Sequence, residues 1–187
     1  MRENTPLPAL GEGGPTERIM VATKASVKTK TAGAIKGGEG RYHYRMNNLK
    51  RVPAGTGYST ANGGVVEGER MLVGYIHKPR GTGSRMHSHK NEQFNFVVQG
   101  TLKGSVNGKR VVAPAGTLIY IPANAPHTLV STPEEDVIFI AIKDLSQGII
   151  GKAVDGTMTG PVYLRGYEPK APATPQRRRG PRKAPAV

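Results

Sequence analysis

The sequence predicts an all-β chain built as an antiparallel sandwich or jelly roll. Three observations carry that expectation. From Val65 onward the chain breaks into short runs of four to eight residues rich in Val, Ile, Thr, Phe and Tyr, the composition of strands. Glycine, proline and asparagine punctuate the gaps between those runs, as turns require. No stretch sustains the 3.6-residue apolar period of a helix.

Taken in order, Glu69–Lys78 alternates, with Met71, Val73, Tyr75 and His77 on one parity, which suits a strand. Phe94–Val98 is a second strand, ending at Gln99-Gly100. Leu102–Val106 and Lys109–Val112 flank Asn107-Gly108, the signal for a two-residue type I′ hairpin whose central positions both need positive φ. Thr117–Ile121 is closed by Pro122, and His127–Ser131 follows. Val137–Ile142 is a continuous apolar run, which predicts burial on both faces. Pro161–Leu164 is a further edge strand, and a short strand near Ile19–Ala22 is the one regular element expected in the N-terminal stretch. No internal repeat is visible, so the barrel is single. The expected organisation is an irregular arm over 1–40, a β-barrel domain over 41–168 with its core at 65–142, and a disordered basic tail over 169–187.

Composition narrows the chemistry. Glycine and proline together make 40 of 187 residues and cysteine is absent, which removes disulfide scaffolds, thiolate metal sites and cysteine nucleophiles. No apolar run approaches the roughly 18–20 residues a membrane helix needs. Met1–Met20 lacks an apolar signal core, so the cytoplasm is the default compartment. The formal charge is +14, and Pro169–Val187 carries six basic and no acidic side chains. That tail has no interleaved aromatics for base stacking. It reads as a solvated end with nonspecific affinity for polyanions.

The chemistry-bearing stretch runs from Gly81 to Gly100 and contains His87, His89, Glu92, Gln93 and Asn95. Alternate residues of a strand share a face, so His87 and His89 can present two imidazoles to one ion. Gln93 and Asn95 keep that parity if Lys90–Asn91 does not break the register, whereas Glu92 faces away. A second stretch, Gly116 to His127, has prolines on both sides of Asn124, a tight connection that sets His127 at the start of a strand. Any one of these histidines alone would read as an ordinary surface or core residue. Catalytic Ser-His-Asp order, a phosphate-binding glycine loop and a paired-carboxylate signature are all missing from the sequence.

These two stretches resemble the cupin family. Gly81, five residues, His87-x-His89 and a closing Gly100 follow the family's first motif. Gly116, five residues, Pro122 and His127 follow its second, with Asn124 in place of the usual glycine. Asparagine tolerates positive φ better than other side chains do. The resemblance covers about residues 65–142. It implies a double-stranded β-helix, the jelly-roll barrel of the family, and one divalent transition metal on His87, His89, Gln93 and His127, with Glu92 as the alternative fourth ligand. Fe²⁺ is favoured; Mn²⁺, Ni²⁺, Co²⁺ and Zn²⁺ suit the same donors. Neutral ligands would leave the full +2 charge, which favours an anionic substrate.

Arg85 shares the parity of the histidines and is a candidate carboxylate clamp. Tyr75 and His77 are candidates for proton transfer. The resemblance implies an enzyme, first an O₂-dependent dioxygenase cleaving a small enolisable, diketone or phenolic anionic substrate. Alternatives are a non-redox lyase or isomerase on a sugar acid or hydroxy acid, and a non-catalytic metal- or ligand-binding protein. It also implies a homodimer, with an arm of about residues 15–64 packing across a neighbour.

Overall fold

A computed structural model describes residues 28–38, 40–154, 156 and 160–170. The expected strand at Ile19–Ala22 and the basic tail from residue 171 lie outside these. Among the described residues there is no α-helix, and one short 3₁₀ turn at Met46–Asn48. No helix among the described residues is long and apolar enough to cross a membrane.

The first strands are β1 (Ile35–Lys36), β2 (Val52–Pro53), β3 (Asn62–Glu67) and β4 (Met71–Lys78). Two short ones follow, β5 (Thr82–Gly83) and β6 (His87–Ser88), then the longer β7 (Gln93–Gln99), β8 (Thr101–Val106) and β9 (Lys109–Pro114). The rest are β10 (Leu118–Ile121), β11 (His127–Ser131), β12 (Val137–Asp144), β13 (Lys152–Ala153) and β14 (Val162–Tyr163). They form two facing sheets. One has the order β1-β3-β4-β12-β7-β10, with β2 on β3. The other has β13-β6-β11-β5-β14, with β8 on β11 and β9 on β8. All pairings are antiparallel except β1 with β3. Jumps such as β4 to β12 and β12 to β7 are the long connections of a jelly roll.

The turn chemistry follows the sequence. Asn107 and Gly108 both have positive φ, at 48° and 76°, and join β8 to β9 as the hairpin signal requires. Asn124 has φ 63°, so asparagine does take a left-handed backbone where the motif has glycine. At Gly81, φ is +68° and an added Cβ would come within 2.2 Å of the Tyr167 ring; both constraints demand glycine there.

The core lies between the sheets. Leu72, Ile76, Val97, Leu102, Ile121 and Val137 are fully buried, each removing apolar area from water at about 25 cal/mol per Å². The outer face is less covered than the sequence implies. β12 alternates buried and half-buried along its whole length, so Val137–Ile142 is buried on one face only. Its apolar outward residues sit beside exposed Phe96 and Leu118 of the same sheet.

The segment from residue 28 to 64 packs on its own barrel rather than reaching away from it. The buried Glu67 carboxylate accepts the backbone N–H groups of Lys30 and Thr31 at 2.8 and 2.7 Å. Thr31 Oγ1 in turn accepts the Ile149 N–H at 3.0 Å.

Candidate metal centre

His87 and His127 are direct cross-strand partners on β6 and β11, so their side chains leave the same face of the sheet. Their ring centroids are 4.0 Å apart. His89 lies just beyond β6, with its ring 4.8 Å from that of His127. One nitrogen from each ring falls within 4.8 Å of the others, a spread that small inward shifts of the rings would close onto one ion, whose bound nitrogens stand no more than about 4.2 Å apart. All three are buried.

The orientation of each ring is fixed by the backbone two residues away. Nδ1 of His87 meets the Arg85 carbonyl at 2.7 Å, that of His89 the Asn91 carbonyl at 2.9 Å, and that of His127 the Ala125 carbonyl at 2.9 Å. A carbonyl only accepts, so Nδ1 carries the proton in each case and Nε2 keeps its lone pair. Burial drives all three pKa values down, to about 2, 3 and 4 for His87, His89 and His127. Neighbouring basic groups add to the effect, His127 first for His87 and Lys143 first for His89. The imidazoles are neutral, which is the form that binds metal. The Nε2 atom of His89 is buried with no hydrogen-bond partner. An orphaned buried acceptor of this kind is rare in folded proteins, and a cation would satisfy it. The residues therefore fit a metal ion.

Gln93 is buried, faces inward and donates its amide N–H to Asn95 Oδ1 at 2.6 Å. Its side chain also interacts with the His89 ring, which sets the amide beside the triad. Glu92 is exposed, and its carboxylate accepts the Tyr120 hydroxyl at 2.8 Å. The loop at Lys90–Asn91 preserves the parity because Asn91 anchors it, donating to the Asp144 and Gln147 carbonyls at 2.6 and 2.8 Å.

The other candidates fall elsewhere. On β4 the inward residues are Leu72, Gly74, Ile76 and Lys78. Tyr75 and His77 point outward into a separate cavity of about 270 Å³ shared with Met46 and Arg51. There burial and then Arg51 lower the His77 pKa. The structure does not bring Tyr75 or His77 to the triad. Arg85 is half-buried, and its Nε donates to the Gly160 carbonyl at 2.8 Å. It is held in the wall by this bond and does not line the barrel cavity.

Three residues that sequence reasoning missed do line that cavity: Tyr58, Lys78 and Lys143. Tyr58 is buried with its ring 4.5 Å from that of His87. Its hydroxyl accepts the Gly151 N–H at 2.7 Å, and burial raises its pKa. It stays protonated and able to donate. Lys78 Nζ donates to the Leu129 carbonyl at 2.7 Å and to Ser84 Oγ at 3.1 Å; Lys143 Nζ donates to the Ile149 carbonyl at 3.1 Å. Burial lowers both amines to about 7. The inward parity of β4 would have found Lys78, had the two faces of that strand differed more in polarity.

Residues 74–143 match the cupin domain family. Among solved structures, the chain is similar to the polyketide cyclase RemF from Streptomyces resistomycificus, at 16% identity with a TM-score of 0.51, over 57% of this chain and 81% of that one. It is also similar to an RmlC-like cupin from Shewanella frigidimarina, at 20% identity with a TM-score of 0.46, over 58% and 91%. None of the curated proteins matches it. The matched segment runs from most of β4 through the triad and β7 to β12.

Proposed function

We propose that this chain is a metal-dependent cupin enzyme acting on a small anionic substrate, with His87, His89, His127 and Gln93 holding one divalent ion. The observation that carries the proposal is the convergence of three buried imidazoles whose Nδ1 atoms are all committed to carbonyls. Fe²⁺ is the ion we favour. Bound there it would supply Lewis acidity toward substrate oxygens and, being redox-active, access to O₂ chemistry. The first reading is therefore O₂-dependent cleavage of an enolisable, diketone or phenolic anion.

The chain's own residues supply the rest. Tyr58 stands beside His87 with its O–H free to donate to a substrate oxygen. The Lys78 and Lys143 amines bring positive charge to the same cavity. Apolar Ile76, Leu129, Phe139 and Ala141 wall it, excluding water and strengthening every polar contact inside. A second reading, a non-redox lyase or isomerase on a sugar acid or hydroxy acid, gains from one observation: Tyr58 is a proton donor in the cavity.

Oxygen consumption decides between them. Iron-loaded protein offered a panel of diketones, phenols and hydroxy acids is expected to take up O₂ in step with substrate loss. Conversion that proceeds equally under nitrogen would reject the oxygenase reading in favour of the lyase.

We also propose a homodimer formed through the outer face of the first sheet. Phe96, Val98, Leu118 and Tyr120 are 41–56% exposed there on adjacent strands, a contiguous apolar patch of the kind that marks an interface. Sedimentation of metal-replete protein is expected to give twice the chain mass, and Leu118→Glu to halve it. A monomeric mass for the unsubstituted protein would reject the dimer.

A further inference from the structure

Lys78 and Lys143 are the part of the cavity for which holding a metal gives no use. Lys78 ends β4 and Lys143 lies near the end of β12. On their shared ladder Lys78 stands opposite Val137 and Lys143 opposite Leu72. Their anchor points are thus six residues apart along β12, from 137 to 143, or about 20 Å. Both side chains turn inward and line one cavity with His87 and His127. Lys78 acts electrostatically on His87 and His127, and Lys143 on His89 and His127. The triad therefore sits between two basic groups that approach from opposite ends of the barrel.

Lys143 feels the carboxylate of the adjacent Asp144, which lies outside the cavity, and neither lysine has an acidic partner within it. Its lining contains no aspartate or glutamate, and the hydrogen bonds of both amines go to neutral acceptors: two carbonyls and a serine hydroxyl. Burying one unpaired cation costs several kcal/mol, and a divalent ion between two of them would add to the cost. Stability alone would replace these lysines with apolar residues. Neutral triad, neutral amides and two amines together leave the cavity short of negative charge, which a ligand can supply. Its volume of about 50 Å³ corresponds to roughly three or four water positions, so the ligand must be compact.

We infer that Lys78 and Lys143 are the substrate-binding cations of this cavity and that its ligand is a small organic dianion, such as a short dicarboxylate, gripped at both ends beside the triad. This rests on the reading of the cavity as the substrate site and adds the substrate's charge and size.

The test is calorimetric binding of malonate to EDTA-treated protein, with malonamide as the uncharged control of the same shape. Malonate is expected to bind and malonamide not to. Lys78→Met and Lys143→Met should each weaken malonate at least tenfold, and the double variant should abolish binding. Methionine matches lysine in length and carries no charge, so both variants should melt at or above the parent temperature, which verifies their folding. Malonate binding unchanged in the double variant, or absent from the parent, would overturn the inference. Protein that binds malonate but never acquires metal would refute the metalloenzyme and leave this inference standing. Stoichiometric metal without malonate binding would do the reverse.

Discussion

Replacing His87 or His127 by alanine is expected to take metal content from stoichiometric to undetectable, with the β-sheet circular dichroism spectrum unchanged. The two residues are cross-strand partners, so each removal takes away one of two adjacent donors and leaves at most two imidazoles. Two imidazoles and the weak amide oxygen of Gln93 are too few to hold a first-row divalent ion against chelating buffer, since three-ligand sites hold their metal with histidine, cysteine or carboxylate donors. The fold should survive because the substitution removes a polar ring together with its own desolvation penalty. What is lost structurally is one hydrogen bond to a carbonyl, of Arg85 or of Ala125, at about 1–3 kcal/mol. Elemental analysis after dialysis reads the result directly. Metal retained at parental stoichiometry in either variant would strike that histidine from the ligand set.

Lys78→Met should make the metal-free protein more stable at neutral pH, by about 1–4 kcal/mol, the range seen when buried charged groups give way to apolar residues of similar volume. For a chain of this size that is roughly 2–15 °C in melting temperature. No buried acceptor is orphaned by the change, because the Leu129 carbonyl still takes the Ser84 N–H at 3.2 Å. The pH dependence gives the signature. Burial holds the folded pKa of Lys78 and Lys143 at about 7, below the usual 10.5. Between those values the unfolded chain carries protons that the folded chain has shed, so stability is lost as pH falls from about 10.5 to 7 and is level below that. Each lysine contributes a slope of about 1.4 kcal/mol per pH unit within the window. The buried histidines extend the trend, costing stability again as pH falls below about 6.5. Denaturant melts of metal-free protein from pH 7 to 10 should show the rise, and Lys78→Met should lose about half of it. A flat profile in the parent would mean that both amines titrate normally.

Much of the site was legible because its signals are local. The His-x-His spacing, the positive φ at Asn124 and the inward parity of Gln93 are all set within a few residues. Parity failed on β4 for a specific reason. Met71, Val73 and Tyr75 look as apolar as Leu72, Gly74 and Ile76, because the outer face of this sheet is itself apolar. Alternation identifies a strand but does not say which parity is inside when both faces resemble a core, and choosing the wrong one exchanges every side chain. His77 was thereby exchanged for Lys78. Lysine at a strand end also reads by composition as solvated, which hid Lys143. Tyr58 was out of reach for another reason. It comes from the segment before the barrel strands and meets His87 only through tertiary packing, held by the N–H of Gly151 across more than ninety residues of chain.

Each imidazole of the triad takes its orientation from a carbonyl two residues along its own loop: Arg85 for His87, Asn91 for His89, Ala125 for His127. Because a main-chain carbonyl is present whatever side chain it belongs to, no particular neighbouring residue has to be kept for the rings to stay in place. The centre is in effect three self-aligning cartridges clipped into a barrel. The wall residues, Lys78 and Lys143 among them, are then free to be exchanged for others without disturbing the donors. Such a scaffold can change what it recognises one wall residue at a time while its centre stays as it is.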